Sequence, residues 1–72
     1  MKKIKKIKIK INSKLLMIND DLSLSNFLKQ LKIPLKKVAI ELNQEIIDKN
    51  KLNKIKLKKN DRIEVVHFIG GG

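Results

Sequence analysis

From Ile7 onward the chain alternates, with Ile7, Ile9 and Ile11 separated by Lys8 and Lys10. A period of two with β-branched residues predicts a half-buried strand over residues 4–11, isoleucine inward and lysine outward. Asn12-Ser13-Lys14 is a polar break, and Leu15-Leu16-Met17-Ile18 is a second apolar run, so the pair predicts a hairpin. The period then changes. Leu24, Phe27, Leu28 and Leu31 fall at i, i+3, i+4 and i+7, one apolar stripe of a helix over about residues 24–31. Ser23 is placed to cap it, and Asp20 and Asp21 put acids near the positive end of its dipole. Pro34 is expected to limit the helix and to push Ile33 toward extended geometry.

Val38, Ile40 and Leu42 alternate again as a third strand, Asn43-Gln44-Glu45 turns the chain, and Ile46-Ile47 forms a brief fourth. Residues 48–56 are rich in Lys and Asn, with Leu52 and Ile55 as anchors of a helical turn. Lys58-Lys59-Asn60-Asp61 is a turn, and Arg62 to Ile69 is the last strand, with Ile63 and Val65 on one face. One main helix over a small mixed sheet of four to five strands is an α+β roll. In such a roll the first and last strands can lie side by side, and a tail then leaves a supported central strand. The expected division is a folded domain over residues 1–69 and a flexible tail over residues 70–72.

Length narrows the function. A 72-residue chain is one domain and buries only about 60% of the surface its unfolded form exposes. It has little room for a core and an enclosed active-site cavity, so a metabolic enzyme acting alone is not expected and no catalytic residue is assigned. The absence of cysteine removes disulfides, thiolate metal sites and a thiol nucleophile, and fits a reducing compartment. No apolar run approaches the roughly 20 residues that span a bilayer. The basic start, Met1-Lys2-Lys3-Ile4-Lys5-Lys6, leads into no continuous apolar segment. The expectation is a cytoplasmic protein without membrane contact, or one of an organelle stroma if organelle-encoded.

A net charge of +11 has two readings. One is an electrostatic footprint for nucleic acid or another polyanion. The other is composition: Lys, Ile and Asn, all with A/T-rich codons, make up half of the chain. Lysine outnumbers arginine 17 to one, and the aromatics are Phe27 and Phe68 alone. Phosphate forks favour arginine and base stacking needs aromatics, so both details favour composition and argue against nucleic acid as the partner.

Gly70, Gly71 and Gly72 are the three glycines of the chain. Lacking a Cβ, a glycine segment is thin and lets a partner's backbone approach closely. A carboxylate is a poor electrophile until adenylation turns it into a reactive acyl phosphate, and a tail that must thread into a partner's active site for that chemistry suits glycine. Alone, the tail fits a frayed terminus equally well. The residues before it shift the balance. With Ile63 and Val65 inward, alternation puts Val66 and Phe68 on the opposite face, a candidate docking patch that runs on to Ile69. His67 stands without a second ligating residue beside it, so no metal site is assigned.

The order and spacing of these pieces resemble the ubiquitin-like β-grasp sulfur carrier proteins, closest to the carrier of thiamine thiazole synthesis, ThiS. The resemblance rests on Val38-Ala39-Ile40-Glu41-Leu42-Asn43-Gln44-Glu45-Ile46-Ile47, on Asn60-Asp61-Arg62-Ile63-Glu64-Val65-Val66-His67-Phe68-Ile69-Gly70-Gly71-Gly72, and on the helix start Leu22-Ser23-Leu24-Ser25-Asn26-Phe27-Leu28. The chain departs from the family at two turns, Asn12-Ser13-Lys14 and Gln44, where glycine is frequent, and in its heavy positive charge. The resemblance implies a β-grasp fold and a carrier that is a substrate rather than a catalyst. An E1-like adenylyltransferase would activate the Gly72 carboxylate with ATP, a cysteine desulfurase route would deliver sulfur, and the Gly72 thiocarboxylate would serve a thiazole synthase. On this resemblance the chain is expected to bind no cofactor and to be a monomer when free. Two neighbouring readings share the adenylation step. One is the molybdopterin-synthase small subunit, which usually carries Pro-Pro or Pro-Val-Ala where Phe68-Ile69-Gly70 stands here; the other is a protein modifier joined to lysines. A basic nucleic-acid-binding module belongs to a different class.

The carrier and polyanion readings predict opposite outcomes. Deleting Gly71 and Gly72 abolishes the activity of a carrier, while Lys8→Glu with Lys10→Glu leaves it intact. A polyanion binder shows the reverse, with affinity that falls as salt rises.

Overall fold

A computed structural model describes residues 5–68. Five strands form one sheet in the order β2-β1-β5-β3-β4, with β1 at Lys6–Ile11, β2 at Lys14–Asn19, β3 at Val38–Leu42, β4 at Glu45–Ile46 and β5 at Arg62–His67. One helix, α1 (Leu24–Gln30), crosses one face, accompanied by 3₁₀ segments at Leu35–Lys37 and Lys49–Lys54. This is the expected α+β roll, mixed because β1 and β5 run parallel while β1–β2, β3–β4 and β3–β5 run antiparallel. No helix among the described residues is long and apolar enough to cross a membrane.

Alternation decides which residues fill the core. Ile9, Ile11 and Ile18 from the first hairpin, Val38, Ile40 and Ile63 from the centre of the sheet, and Leu24, Phe27 and Leu28 from α1 pack together. Leu52 and Leu57 close the side of this cluster. Each such side chain contributes about 1.5–3 kcal/mol on burial, and no polar or charged side chain is buried among them. Leu57 lies between lysines in Lys56-Leu57-Lys58 and belongs to no periodic run. Its N–H donates to the Leu22 carbonyl, and Leu24 N–H donates to that of Ile55. These bonds draw the late segment against the start of α1.

Ser23 caps α1, its hydroxyl accepting the N–H of Asn26 at 3.1 Å. Asp20 and Asp21 lie ahead of this cap, and the first turn itself holds no acid. The helix ends sooner than residue 31 and by a different device from Pro34. Lys32 takes φ 58°, its N–H reaching the Lys29 carbonyl while Ile33 N–H reaches Leu28. This is a Schellman closure, with a lysine where glycine is usual. Leu31 is thereby the C-cap. It is 41% exposed and lines an open groove of about 430 Å³ with Ile11, Leu16 and Ile33.

Both hairpins turn on two residues at positive φ, Asn12 and Ser13 in the first, Asn43 and Gln44 in the second. Pairing closes directly on either side, at Ile11 with Lys14 and at Leu42 with Glu45. Two left-handed residues match the twist of the strands they join, and asparagine tolerates that region better than other non-glycine residues. β4 covers Glu45–Ile46 rather than Ile46-Ile47, although Ile47 N–H still donates to Ile40. β5 stops at His67, and Ile69 lies outside the described residues.

Gln44 and Lys32 hold left-handed geometry without asparagine's local compensation. Gln44→Gly and Lys32→Gly are each expected to stabilise the fold by about 1 kcal/mol, the approximate penalty of a Cβ in that region. Urea unfolding measures it. A loss of stability on either change would contradict the geometry.

Candidate functional site

The tail follows β5, so the site begins with what holds β5 in place. Its parallel contact with β1 is short, with Lys10 opposite Arg62 and Ile11 opposite Ile63. Beyond Ile11 the chain turns away, and Asn12 takes over: its N–H donates to the Ile63 carbonyl at 2.9 Å and its Oδ1 accepts the N–H of Val65 at 2.8 Å. An asparagine chosen by the turn thus extends the ladder along the central strand.

Asn43 performs the same service at the other end. Its Oδ1 accepts Arg62 N–H at 3.0 Å, its Nδ2 donates to Asp61 Oδ1 at 3.0 Å, and its own N–H donates to the Arg62 carbonyl at 2.7 Å. Asp61 Oδ2 accepts Lys58 N–H at 2.7 Å, closing the turn before β5. The segments around Val38–Leu42 and Arg62–His67, separate in sequence, meet at this knot. Sequence reasoning placed Asn43, Asp61 and Asn12 in turns and gave them no long-range partner, because nothing in residue order reports a contact between elements so far apart.

The described site residues stand as follows. Val66 is 45% exposed and pairs with Ala39. It lies on the face away from α1, as alternation requires when Ile63 is 1% exposed. Phe68 is 57% exposed, one residue past the end of β5. Its N–H donates to the Lys37 carbonyl at 3.0 Å, and its ring centroid lies 5.4 Å from Lys49 Nζ. A lysine ammonium thus lies beside the exposed Phe68 ring. His67 is exposed opposite Val38 in the ladder. Ile69, Gly70, Gly71 and Gly72 lie outside the described residues. Among the described residues no group of His, Cys, Asp or Glu is arranged to hold a metal.

The open face around Val66 is electrically divided. Lys10 faces Arg62 across β1 and β5, where an open depression of about 300 Å³ is also lined by Lys8, Leu15 and Asn60. Glu41 faces Glu64 across β3 and β5, with Ile46 on the far side of Glu41. Exposed Ile46, Met17 and Leu15 add apolar surface. Like charges set opposite each other cost stability, and this face carries charge of both signs beside an exposed valine.

A mixed sheet whose last strand lies centrally, parallel to the first, under one crossing helix, defines the ubiquitin-like β-grasp class. The model of the ThiS family matches residues 4–72, and the chain belongs to that family. It is 49% identical over 35 residues to the sulfur carrier protein ThiS of Bacillus subtilis, a match covering 49% of this chain and 53% of that one. It is 32% identical over 66 residues to a thiazole synthase of Paramagnetospirillum magneticum, covering 92% of this chain and 20% of that protein. The crystal structure of the thiamine biosynthesis protein ThiS from Geobacter metallireducens superposes with a TM-score of 0.81 at 26% identity, covering 92% of this chain and all of that one. The chain thus spans about half of the Bacillus carrier and a fifth of the Paramagnetospirillum synthase in these matches.

Asn43→Ala is expected to cost about 1–3 kcal/mol, because it removes the acceptor for Arg62 N–H and the donor to Asp61. Denaturant unfolding compares it with Asn53→Ala, a change at an exposed asparagine outside the knot. Equal stability of the two variants would show that Asn43 does not fasten β5.

Proposed function

We propose that this chain is a sulfur carrier of thiamine biosynthesis, working as a substrate of other enzymes rather than as a catalyst. An E1-like adenylyltransferase joins the Gly72 carboxylate to AMP from ATP and releases pyrophosphate. A persulfide supplied through a cysteine desulfurase route displaces AMP to give an acyl disulfide, and a second thiol cleaves its S–S bond, becoming oxidised to a disulfide with the donor and leaving a Gly72 thiocarboxylate. That group donates its sulfur to thiazole synthase. The chain holds no cofactor of its own; ATP belongs to the activating enzyme.

The observation that carries this reading is the placement of glycine. Six described residues occupy positive φ (Asn12, Ser13, Lys32, Asn43, Gln44 and Asn60) and none is glycine, while all three glycines stand at 70–72. The fold does without glycine where backbone geometry favours it, so its use in the tail answers another requirement: a thin chain that a narrow active site can admit. Family membership supports the chemistry. The thiazole synthase partner is supported by the carrier-like stretch within the Paramagnetospirillum chain that bears that name. Val66, Phe68 and Ile69 are the proposed docking residues, on or just after the strand that leads to the tail.

The test is adenylate formation, followed as pyrophosphate release, with the adenylyltransferase from the same organism. Wild type is expected to turn over, and deletion of Gly71 and Gly72 to abolish turnover with unfolding stability unchanged within about 0.5 kcal/mol. Turnover by the truncated chain, or none by wild type, would refute the reading. Val66→Ser is expected to raise KM severalfold with stability nearly unchanged, since Val66 is exposed. Covalent adducts on lysines in a pulldown, without thiazole synthase, would point instead to a protein modifier.

A further inference from the structure

Lys49 opens the 3₁₀ segment Lys49–Lys54, and its ammonium makes two contacts. It donates a hydrogen bond to the carbonyl of Leu35 and lies 5.4 Å from the centroid of the Phe68 ring, within the range of a cation–π contact. The backbone of Phe68 is tied from the same quarter, its N–H donating to Lys37. Leu35 and Lys37 are the two ends of a single 3₁₀ turn that leads into β3. That turn therefore grips Phe68 twice, once directly through the Lys37 carbonyl and once through Lys49, which the Leu35 carbonyl orients.

The pairing is selective. The chain has 17 lysines and two phenylalanines. Phe27 is in the core at 2% exposure, so Phe68 is the ring open to a surface cation. Phe68 is also the last residue before Ile69 and the three glycines, which makes it the base from which the tail departs. A thin tail can leave its base in many directions, and few of them enter a partner's active site. Holding the base reduces the search before binding without touching the reacting group.

We propose that Lys49 is a positioning residue for the tail: by clasping Phe68 against the Leu35–Lys37 turn it fixes the base from which the tail is offered to the activating enzyme. The inference rests on the adenylation reading above. Lys49 touches neither nucleotide nor carboxylate in that scheme, so its removal acts on KM and leaves kcat in place.

Lys49→Met keeps the aliphatic stem and removes the cation; Lys49→Arg keeps a cation. In the pyrophosphate-release assay, Lys49→Met is expected to raise KM for the carrier about two- to fivefold at unchanged kcat, matching a solvent-exposed cation–π contact. Lys49→Arg should stay close to wild type. In a Phe68→Leu background the Lys49→Met change should add no further rise. An unchanged KM for Lys49→Met, or the same rise in the Phe68→Leu background, overturns the proposal. NMR of the free protein gives a readout independent of turnover. The Phe68 ring protons should shift in Lys49→Met and stay in place in Lys51→Met, a control at an exposed lysine of the same segment. An unshifted ring overturns the clasp even where adenylation proceeds. Absence of adenylation in wild type, by contrast, defeats the carrier reading itself.

Discussion

The whole arrangement depends on β5 being the last strand in sequence and the middle strand in space. It joins two hairpins that otherwise share no edge: β1–β2 on one side and β3–β4 on the other. Its antiparallel ladder with β3 covers five registered residues, and its parallel pairing with β1 covers two. Asn12 and Asn43 add to these ladders, each from a tight turn and each accepting a backbone N–H of β5. The core side of the strand is secured by Ile63, packed with Ile9, Ile11 and Ile40. β5 is thus supported from both sides as far as Val65, and Val66 and His67 continue along β3.

Glycine use links this fold to its proposed chemistry. Left-handed backbone occurs at six described positions, filled by Asn, Ser, Lys and Gln. Composition accounts for part of this: glycine codons are G/C-rich, and half of the chain is Lys, Ile or Asn. The same bias makes three consecutive glycines at 70–72 harder to ascribe to composition. The lysines fit the same picture. Most lie on exposed faces, as an A/T-rich composition would leave them, while Lys49 has a defined place between a carbonyl and a ring.

Periodicity made most of the fold readable. The Ile/Lys alternation of β1, the Val38-Ile40-Leu42 alternation of β3 and the stripe of α1 each carry a local signal that burial enforces. The face of Val66 followed from the same rule. Legibility failed where the signal was long-range or where a residue stood outside any period. Leu57, alone among lysines, gave no pattern, yet it is 1% exposed. Lys32 gave no sign that it would occupy the left-handed position that ends α1, so Pro34 seemed to be the stop and Leu31 seemed to face the core. At Phe68 alternation ran out with the strand, and a contact with Lys49 set the surroundings of the ring. Of the proposed site, the exposure of Val66 was legible by alternation; the bonds that brace β5 and hold Phe68 were not, because they join residues far apart in the chain.

The central claim is that sulfur travels on the carboxylate of Gly72. Intact-mass and fragment mass spectrometry of the protein isolated from its own organism, during thiamine-limited growth, tests it most directly. The account predicts a fraction heavier by the exchange of one oxygen for sulfur, with the change localised to Gly72. Chain ending only in the ordinary carboxylate under those conditions, or sulfur attached elsewhere, would contradict it.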